Sequence, residues 1–175
     1  MKLLKPALAL ALITLIFNLV KAQQQHPALK FSVNLVVNDY LDLKNALLND
    51  KIALAQNKAG KMVFDLNSVP DRDMTPQQHS AWFNYLGRLQ STSRAIGETT
   101  NIEEQRKQFS AISNAMYGLL KDTRLTPITL YRQYSRARDA YWLSNTQAIK
   151  NPYYGANSKQ MLKEGSTRDI LSPGK

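Results

Sequence analysis

Four runs of apolar residues at steps of three and four constrain the fold of this chain more than any other feature of its sequence. The first run consists of Val33, Val36, Tyr40, Leu43 and Leu47. Three similar runs follow, within residues 52–66, 82–96 and 109–119. This spacing places the apolar side chains on one face of a helix. Four amphipathic helices with short connections favour an antiparallel four-helix bundle.

Candidate helix caps separate these runs. Asp50 stands before the second helix, where a carboxylate can accept hydrogen bonds from free backbone N–H groups. Thr75 followed by Pro76 has the pattern of a cap before the third helix. Asn101, with Glu104 three residues later, has the same character before the fourth. We therefore expect helices to begin after residues 50, 75 and 101.

The pattern changes after the fourth helix. Residues 129–135 and 140–144 are rich in aromatic and β-branched residues, which predicts a β-hairpin. Residues 158–163 predict a short extra helix. The predicted fold class is mainly α, an antiparallel four-helix bundle with a C-terminal β-hairpin and a short extra helix. We expect a flexible start at residues 23–32, one domain at residues 33–166 and a loose tail at residues 167–175.

Residues 1–22 have the pattern of a secretory signal peptide. Lys2 and Lys5 precede an apolar run of about 14 residues, which is short for a membrane span, and Ala22 provides a small residue at its exit. An uncleaved anchor is the alternative, because Lys21 lies inside the proposed cleavage motif. We expect cleavage after Ala22, export to the periplasm or the medium, and no retained transmembrane helix. The chain contains no cysteine, so we expect no lipoprotein.

Positive charge is concentrated in the last third of the sequence. The chain of 175 residues has 23 Lys and Arg against 13 Asp and Glu, and residues 121–175 hold ten of the basic and four of the acidic residues. A solvated surface explains this excess, and an anionic ligand is the alternative. Nucleic acid is not an expected partner of an exported protein. The candidate anion-binding residues are Arg132, Arg136, Arg138, Lys159 and Lys163.

The sequence lacks the common catalytic and cofactor-binding motifs. There is no zinc-protease, nucleophile-elbow, phosphate-loop, dinucleotide or calcium-loop pattern. His79 is interpreted as a partly buried bundle residue. The acidic pairs Asp39 with Asp42 and Asp71 with Asp73 are interpreted as solvated charges. We therefore expect no enzymatic activity, no catalytic residues and no cofactor.

The C-terminal third resembles a bacterial domain family of unknown function. The resemblance lies in residues 130–135 (LYRQYS), 140–144 (AYWLS) and 151–155 (NPYYG), and it extends over about residues 34–166. Members occur as lone exported proteins and as the final domain of periplasmic adaptor subunits of copper and silver efflux pumps. The resemblance identifies as motif and scaffold residues Gln105, Arg106, Phe109, Tyr134, Trp142, Leu143, Ser144, Asn151, Pro152, Tyr153, Tyr154 and Gly155.

The chain departs from the family pattern at its sulfur positions. The pattern has Tyr-Cys-Pro-Met-Ala at the end of the first strand and Met-Leu-x-Cys-Gly further on, a sulfur set suited to Cu(I). Here Ser135 and Glu164 replace the two cysteines, and Ala137 replaces the methionine. Met161 is retained, while the two arginines that flank Ala137 would repel a cation. The resemblance therefore implies a fold that was kept and a soft-metal site that was lost.

Three hypotheses of function follow. The first is a non-enzymatic periplasmic or secreted accessory protein, related to heavy-metal (copper) homeostasis domains, that acts through a protein partner in the cell envelope. The second is an anion-binding module that uses the basic C-terminal third. The third is weak residual metal binding through Met161 and Glu164, with a methionine or histidine from the bundle as an optional further ligand.

Overall fold

A computed structural model describes residues 27–159 and 161–174, and within them the predicted bundle is confirmed. The signal-peptide prediction lies outside the described residues. Neighbouring helices pack against each other and run antiparallel through short connections. The four helices are α1 (Pro27–Leu48), α2 (Ile52–Asn67), α3 (Pro76–Glu98) and α4 (Ile102–Thr123). Within the described part of the chain, none of the helices has both the length and the apolar character needed to cross a membrane.

The apolar faces predicted from the sequence form most of the core. Tyr40 of α1 and Phe109 of α4 are fully buried, and their rings stack with centroids 5.2 Å apart. Trp82 of α3 and Met62 of α2 close the same core from the other two helices. Burial of each such side chain contributes about 1.5–3 kcal/mol to folding. The bundle core is therefore the main source of stability, and the sheet packs against it.

Helix α1 begins six residues before the predicted domain boundary at residue 33. Leu29 continues the apolar face by one turn and is buried, so residues 27–32 are part of the helix and not a separate start.

Two of the three predicted caps are confirmed and one is wrong. Thr75 forms a complete capping box with Gln78, and the Asn101 side chain accepts from the N–H groups of residues 103 and 104. Asp50 does not cap α2. The N-cap position is occupied by Lys51, whose side chain makes no capping hydrogen bond. The Asp50 carboxylate instead accepts from Arg106 Nη2 at 2.6 Å. Arg106 gives this carboxylate a fully charged partner, whereas a helix N–H group carries only a partial positive charge.

The C-terminal third forms a three-stranded antiparallel sheet with the order β2-β1-β3. Its strands are β1 (Leu130–Ser135), β2 (Ala140–Ser144) and β3 (Ser166–Leu171). The predicted hairpin is confirmed as β1 and β2, whereas β3 lies where a loose tail was expected. Pairing with β3 covers the second edge of β1 and buries Leu171 opposite Leu130. An unpaired edge would leave backbone N–H and C=O groups without partners.

The predicted short extra helix is reduced to one 3-10 turn, Met161–Lys163. The carbonyl of Leu162 accepts from the backbone N–H of Asn151 at 2.8 Å, which joins this turn to the segment after β2.

One lysine is buried where α1 meets the sheet. The Lys44 side chain is almost wholly buried, and within the described residues its only hydrogen bond goes to Ser144 Oγ at 3.5 Å. Burial, and to a smaller extent the charge of Lys150, lowers the pKa of Lys44 from its ordinary 10.5 to about 8. The ammonium group is therefore charged at neutral pH at a cost in stability.

We expect Lys44→Met to raise the free energy of unfolding by about 1–3 kcal/mol at pH 7, because it removes the cost of desolvating a charge. Because the folded-state pKa is depressed, the unfolded wild type binds more protons between about pH 8 and 10.5, and its stability rises over that range. The variant lacks this contribution. Urea unfolding from pH 7 to 10.5 measures both effects, with the exposed Lys107→Met as control. Equal pH slopes for Lys44→Met and wild type would contradict the assignment.

Candidate functional site

The three positions that the resemblance assigns to sulfur ligands lie at one corner of the sheet. Ser135 ends β1, and Glu164 lies two residues before β3. Because β1 and β3 pair with Tyr134 opposite Ser166, the segment that carries Glu164 passes beside the end of β1. Ser135 Oγ lies 2.5 Å from Glu164 Oε2. Ala137 follows in the turn between β1 and β2, against the same carboxylate.

The Glu164 carboxylate is held by several donors. It accepts from the backbone N–H of Arg136 at 2.9 Å, from that of Ala137 at 3.4 Å and from Asn151 Nδ2 at 3.0 Å. Ser135 Oγ also accepts from the N–H of residue 138 at 3.1 Å. We call Ser135, Arg136, Ala137, Asn151 and Glu164 the Glu164 cluster. In it, a carboxylate closes the turn between β1 and β2.

The Glu164 cluster does not fit the copper ion that the family resemblance implies. Its polar atoms are oxygen and nitrogen, whereas Cu(I) prefers thiolate and thioether sulfur. Met161, the remaining sulfur, is 36% exposed in the 3-10 turn, and Arg136 brings a positive charge to the turn. Among the residues that the structure describes, no group of three or more His, Asp or Glu could hold a metal ion.

Glycine at position 165 fixes the direction in which the chain leaves Glu164. Its φ is +139°, a conformation that other residues rarely adopt. A Cβ atom here would lie 2.8 Å from the Trp142 ring and 2.9 Å from the carbonyl of Tyr134. The chain therefore passes directly against β1 and β2, which holds Glu164 within reach of Ser135.

Aromatic residues, most of which the resemblance assigns to the motif, join the sheet to the bundle. The Tyr153 ring lies between Phe109 and Trp142, with centroid distances of 6.0 and 6.1 Å. Tyr40 OH accepts from the backbone N–H of Leu143 at 2.9 Å and bonds Ser113 Oγ at 2.8 Å. These side chains form scaffold, and their positions orient the strand end that carries Ser135.

Arg106 makes a second contact between the bundle and the C-terminal third, by hydrogen bonds instead of ring packing. Its guanidinium is buried and donates to Asp50 at 2.6 Å, to Glu103 at 2.7 Å, and to the carbonyls of Leu47 and Pro152, both at 3.1 Å. The side chain thus links the end of α1, the start of α4 and the turn after β2. Sequence reasoning placed Arg106 in the motif but gave no indication of these partners.

Gln105 has a similar bridging role. Its buried side chain donates to the carbonyl of Thr99 at 3.0 Å and to that of Ile52 at 3.4 Å. It therefore joins the beginning of α2 to the connection between α3 and α4.

The five candidate anion-binding residues do not converge on one site. The Arg132 guanidinium lies between the rings of Tyr117 and Tyr141, at 3.9 and 4.0 Å from their centroids. Arg138 donates to Glu103 at 3.1 Å and lies over the ring of Tyr154. Arg132 therefore packs between aromatic rings, and Arg138 combines ring packing with an ion pair.

The other basic candidates separate into different regions of the surface. Arg136 is exposed in the β1–β2 turn. Lys159 and Lys163 line a cavity of about 660 Å³ that also includes Lys150, which sequence reasoning did not select. A second cavity of about 810 Å³, between α3, α4 and the hairpin, includes Arg88 and Lys107. No local motif marks these residues, because each cavity is assembled from distant segments.

Two interpretations of acidic and histidine residues need correction. Asp39 is buried, not solvated, since it lies at the packed face between α1 and α2 and shares Lys61 with Asp65 at 3.1 and 2.7 Å. Burial and the neighbouring Asp65 raise the pKa of Asp39 to about 6. His79 is exposed and not partly buried, because it points away from the core beside the exposed ring of Phe83.

Comparison with known proteins covers mainly the bundle. A sequence model of the family described as "Protein of unknown function (DUF3347)" matches residues 36–127. The match includes most of α1 and all of α2, α3 and α4, and it ends before β1. No curated protein and no solved structure matches the chain.

Proposed function

The chain belongs to the DUF3347 family, whose model matches more than half of its residues. We propose that it is a non-enzymatic accessory protein of the cell envelope. In this proposal it is related to the domains of copper homeostasis, has lost their soft-metal site, and acts through a protein partner. The N-terminal sequence supports export to the periplasm or the medium.

The proposal depends on one observation, the geometry of the Glu164 cluster. Ser135 and Glu164 are 29 residues apart in sequence, yet their side chains share a hydrogen bond. These are the two positions that the family resemblance assigns to cysteine. Cysteine side chains at these two positions would face each other at the same corner of the sheet, where one ion could bridge them.

The residues now present disfavour cation binding. Both oxygens of Glu164 already accept hydrogen bonds, and a metal ion would have to displace these donors. Arg136, exposed in the adjoining turn, adds a repulsion on any bound cation that falls with distance and with screening by solvent. Weak residual binding by Met161 and Glu164 is the least favoured hypothesis for the same reason.

A Cu(I) titration tests the loss of the site. Protein from the periplasmic fraction, with its intact mass checked for removal of residues 1–22, is titrated anaerobically against a chromogenic Cu(I) chelator. We expect no binding tighter than about 1 μM, and no change for Glu164→Gln, which keeps the size of the side chain and removes its charge. Nanomolar affinity of the wild type would refute this part of the proposal.

Anion binding is the second candidate function. One observation favours it: Lys150, Lys159 and Lys163 line the same cavity without an acidic residue in its described lining. This observation narrows the candidate anion-binding site from the whole basic C-terminal third to this one cavity.

A further inference from the structure

The cavity that contains three lysines lies where α1 ends. It has a volume of about 660 Å³, which is within the range of small-molecule sites. Three segments form its walls: the end of α1 at residues 48–49, the loop at residues 148–150, and the segment that includes residues 156, 159, 162 and 163. We call it the lysine cavity.

The charge of the lysine cavity is uncompensated. Within the described residues, the side chains of Lys150, Lys159 and Lys163 make no ion pair or hydrogen bond, and no Asp or Glu lines the cavity. The buried ammonium of Lys44 lies close enough to Lys150 for the Lys150 charge to contribute to its lowered pKa. The region therefore has a positive potential that an anion would relieve.

The remaining lining is mostly apolar. Leu48, Ile149 and Leu162 are half-buried and contribute side chains from all three walls, and Ala148 and Ala156 complete the surface. A small hydrated anion would use only the lysines and leave this surface uncovered. A ligand with both an anionic head and an apolar chain fits both parts of the lining.

Hydrogen bonds fix the walls of the lysine cavity. Asp50 Oδ2 accepts from the N–H of Ala156 at 2.9 Å, which ties the third wall to the end of α1. Gln133 Nε2 donates to the carbonyls of residues 146 and 147 at 3.2 and 3.1 Å, which holds the loop before Lys150. The N–H of Asn151 donates to the carbonyl of Leu162 at 2.8 Å. Binding to a formed cavity loses less conformational entropy than binding to a mobile one.

We propose that the lysine cavity binds a carboxylate that carries an unbranched apolar chain, of the medium-chain fatty-acid class. The lysines pair with the carboxylate, and the chain covers Leu48, Ile149 and Leu162. This inference rests on the anion-binding candidate and is independent of the loss of the soft-metal site.

Calorimetry with three matched probes tests the inference. Decanoate, below its micelle concentration, has head and chain, acetate has only the head, and decan-1-ol has the chain without the charge. We expect decanoate to bind at least about tenfold more tightly than either of the others. The triple variant Lys150→Gln, Lys159→Gln, Lys163→Gln is expected to reduce decanoate affinity to that of decan-1-ol. These lysines are exposed, and circular dichroism checks that the fold is kept.

A control for the loss of positive charge elsewhere on the surface uses the other cavity. Arg88→Gln with Lys107→Gln removes basic side chains that do not line the lysine cavity, and it should leave decanoate affinity unchanged. Leu162→Gln should weaken decanoate and leave acetate unchanged.

Three outcomes would overturn the inference. If decanoate binds no more tightly than acetate, the apolar lining has no role, although anion binding remains. If neither anion binds, the anion-binding candidate fails as well. If the lysine triple variant binds decanoate as the wild type does, the site is elsewhere.

Discussion

Replacement of Arg106 by alanine is expected to lower the free energy of unfolding by about 3–5 kcal/mol, the largest stability effect of any single substitution considered. The side chain donates four hydrogen bonds in a buried position, and two of its acceptors are the carboxylates of Asp50 and Glu103. Without the guanidinium, the carbonyls of Leu47 and Pro152 lose a donor in the interior. Urea unfolding followed by circular dichroism measures the change.

Two variants distinguish the network from a general effect of charge. Arg106→Lys keeps the charge but cannot reach four acceptors with a planar fork, so we expect it to remain destabilised by more than about 1 kcal/mol. Lys107 is the next residue along α4, and its side chain is exposed. Lys107→Ala should therefore change the free energy of unfolding by less than about 0.5 kcal/mol. Equal stabilities of Arg106→Ala and Lys107→Ala would show that the buried network is not the link between bundle and sheet.

The second large effect is a gain of Cu(I) affinity. The combined variant Ser135→Cys, Ala137→Met, Glu164→Cys is expected to bind Cu(I) at least about 1,000-fold more tightly than the wild type. Ser135 and Glu164 are already in contact. A cysteine side chain at position 164 is shorter than glutamate, but two metal–sulfur bonds span a longer distance than one hydrogen bond, so one ion could bridge the two thiolates. The same anaerobic chelator competition that is used for the wild type measures the gain.

Single variants provide the control for this gain. Ser135→Cys alone and Glu164→Cys alone supply one thiol each, and we expect either to recover only a small part of the affinity, because chelation needs both. Addition of Arg136→Pro to the combined variant removes one positive charge and should strengthen binding further. Wild-type affinity in the combined variant would be evidence against a former metal site at this corner.

The periodicity of apolar residues is sufficient to predict the helices, because a helix is specified by residues that are close together in the sequence. Thr75 and Asn101 lie within a few residues of the N–H groups that they cap. Asp50 was predicted wrongly because its partner, Arg106, lies 56 residues further along the chain, and no spacing rule connects them. Local patterns therefore predict the elements well and predict poorly the contacts that join them.

The sheet shows the same limit of prediction from local sequence patterns. Residues 166–171 (STRDIL) lack a clear alternation of apolar and polar residues, so β3 has little local signal, and its pairing with β1 depends on a distant segment. Arg132 was selected for its charge, but its guanidinium lies between Tyr117 and Tyr141, which charge counting cannot detect. The lysine cavity was missed in part because Lys150 lies on a different wall from Lys159 and Lys163.

The strand order β2-β1-β3 also has a consequence for the sequence of events in folding. Strands β1 and β2 together span 15 residues, so the hairpin can form soon after these residues are synthesised. Strand β3 begins more than 20 residues after the end of β2 and is synthesised later. Until then, the second edge of β1 is open to pairing with another chain. A nascent or truncated polypeptide that stops before residue 166 should therefore be prone to association, and completion of the C-terminal strand should suppress it.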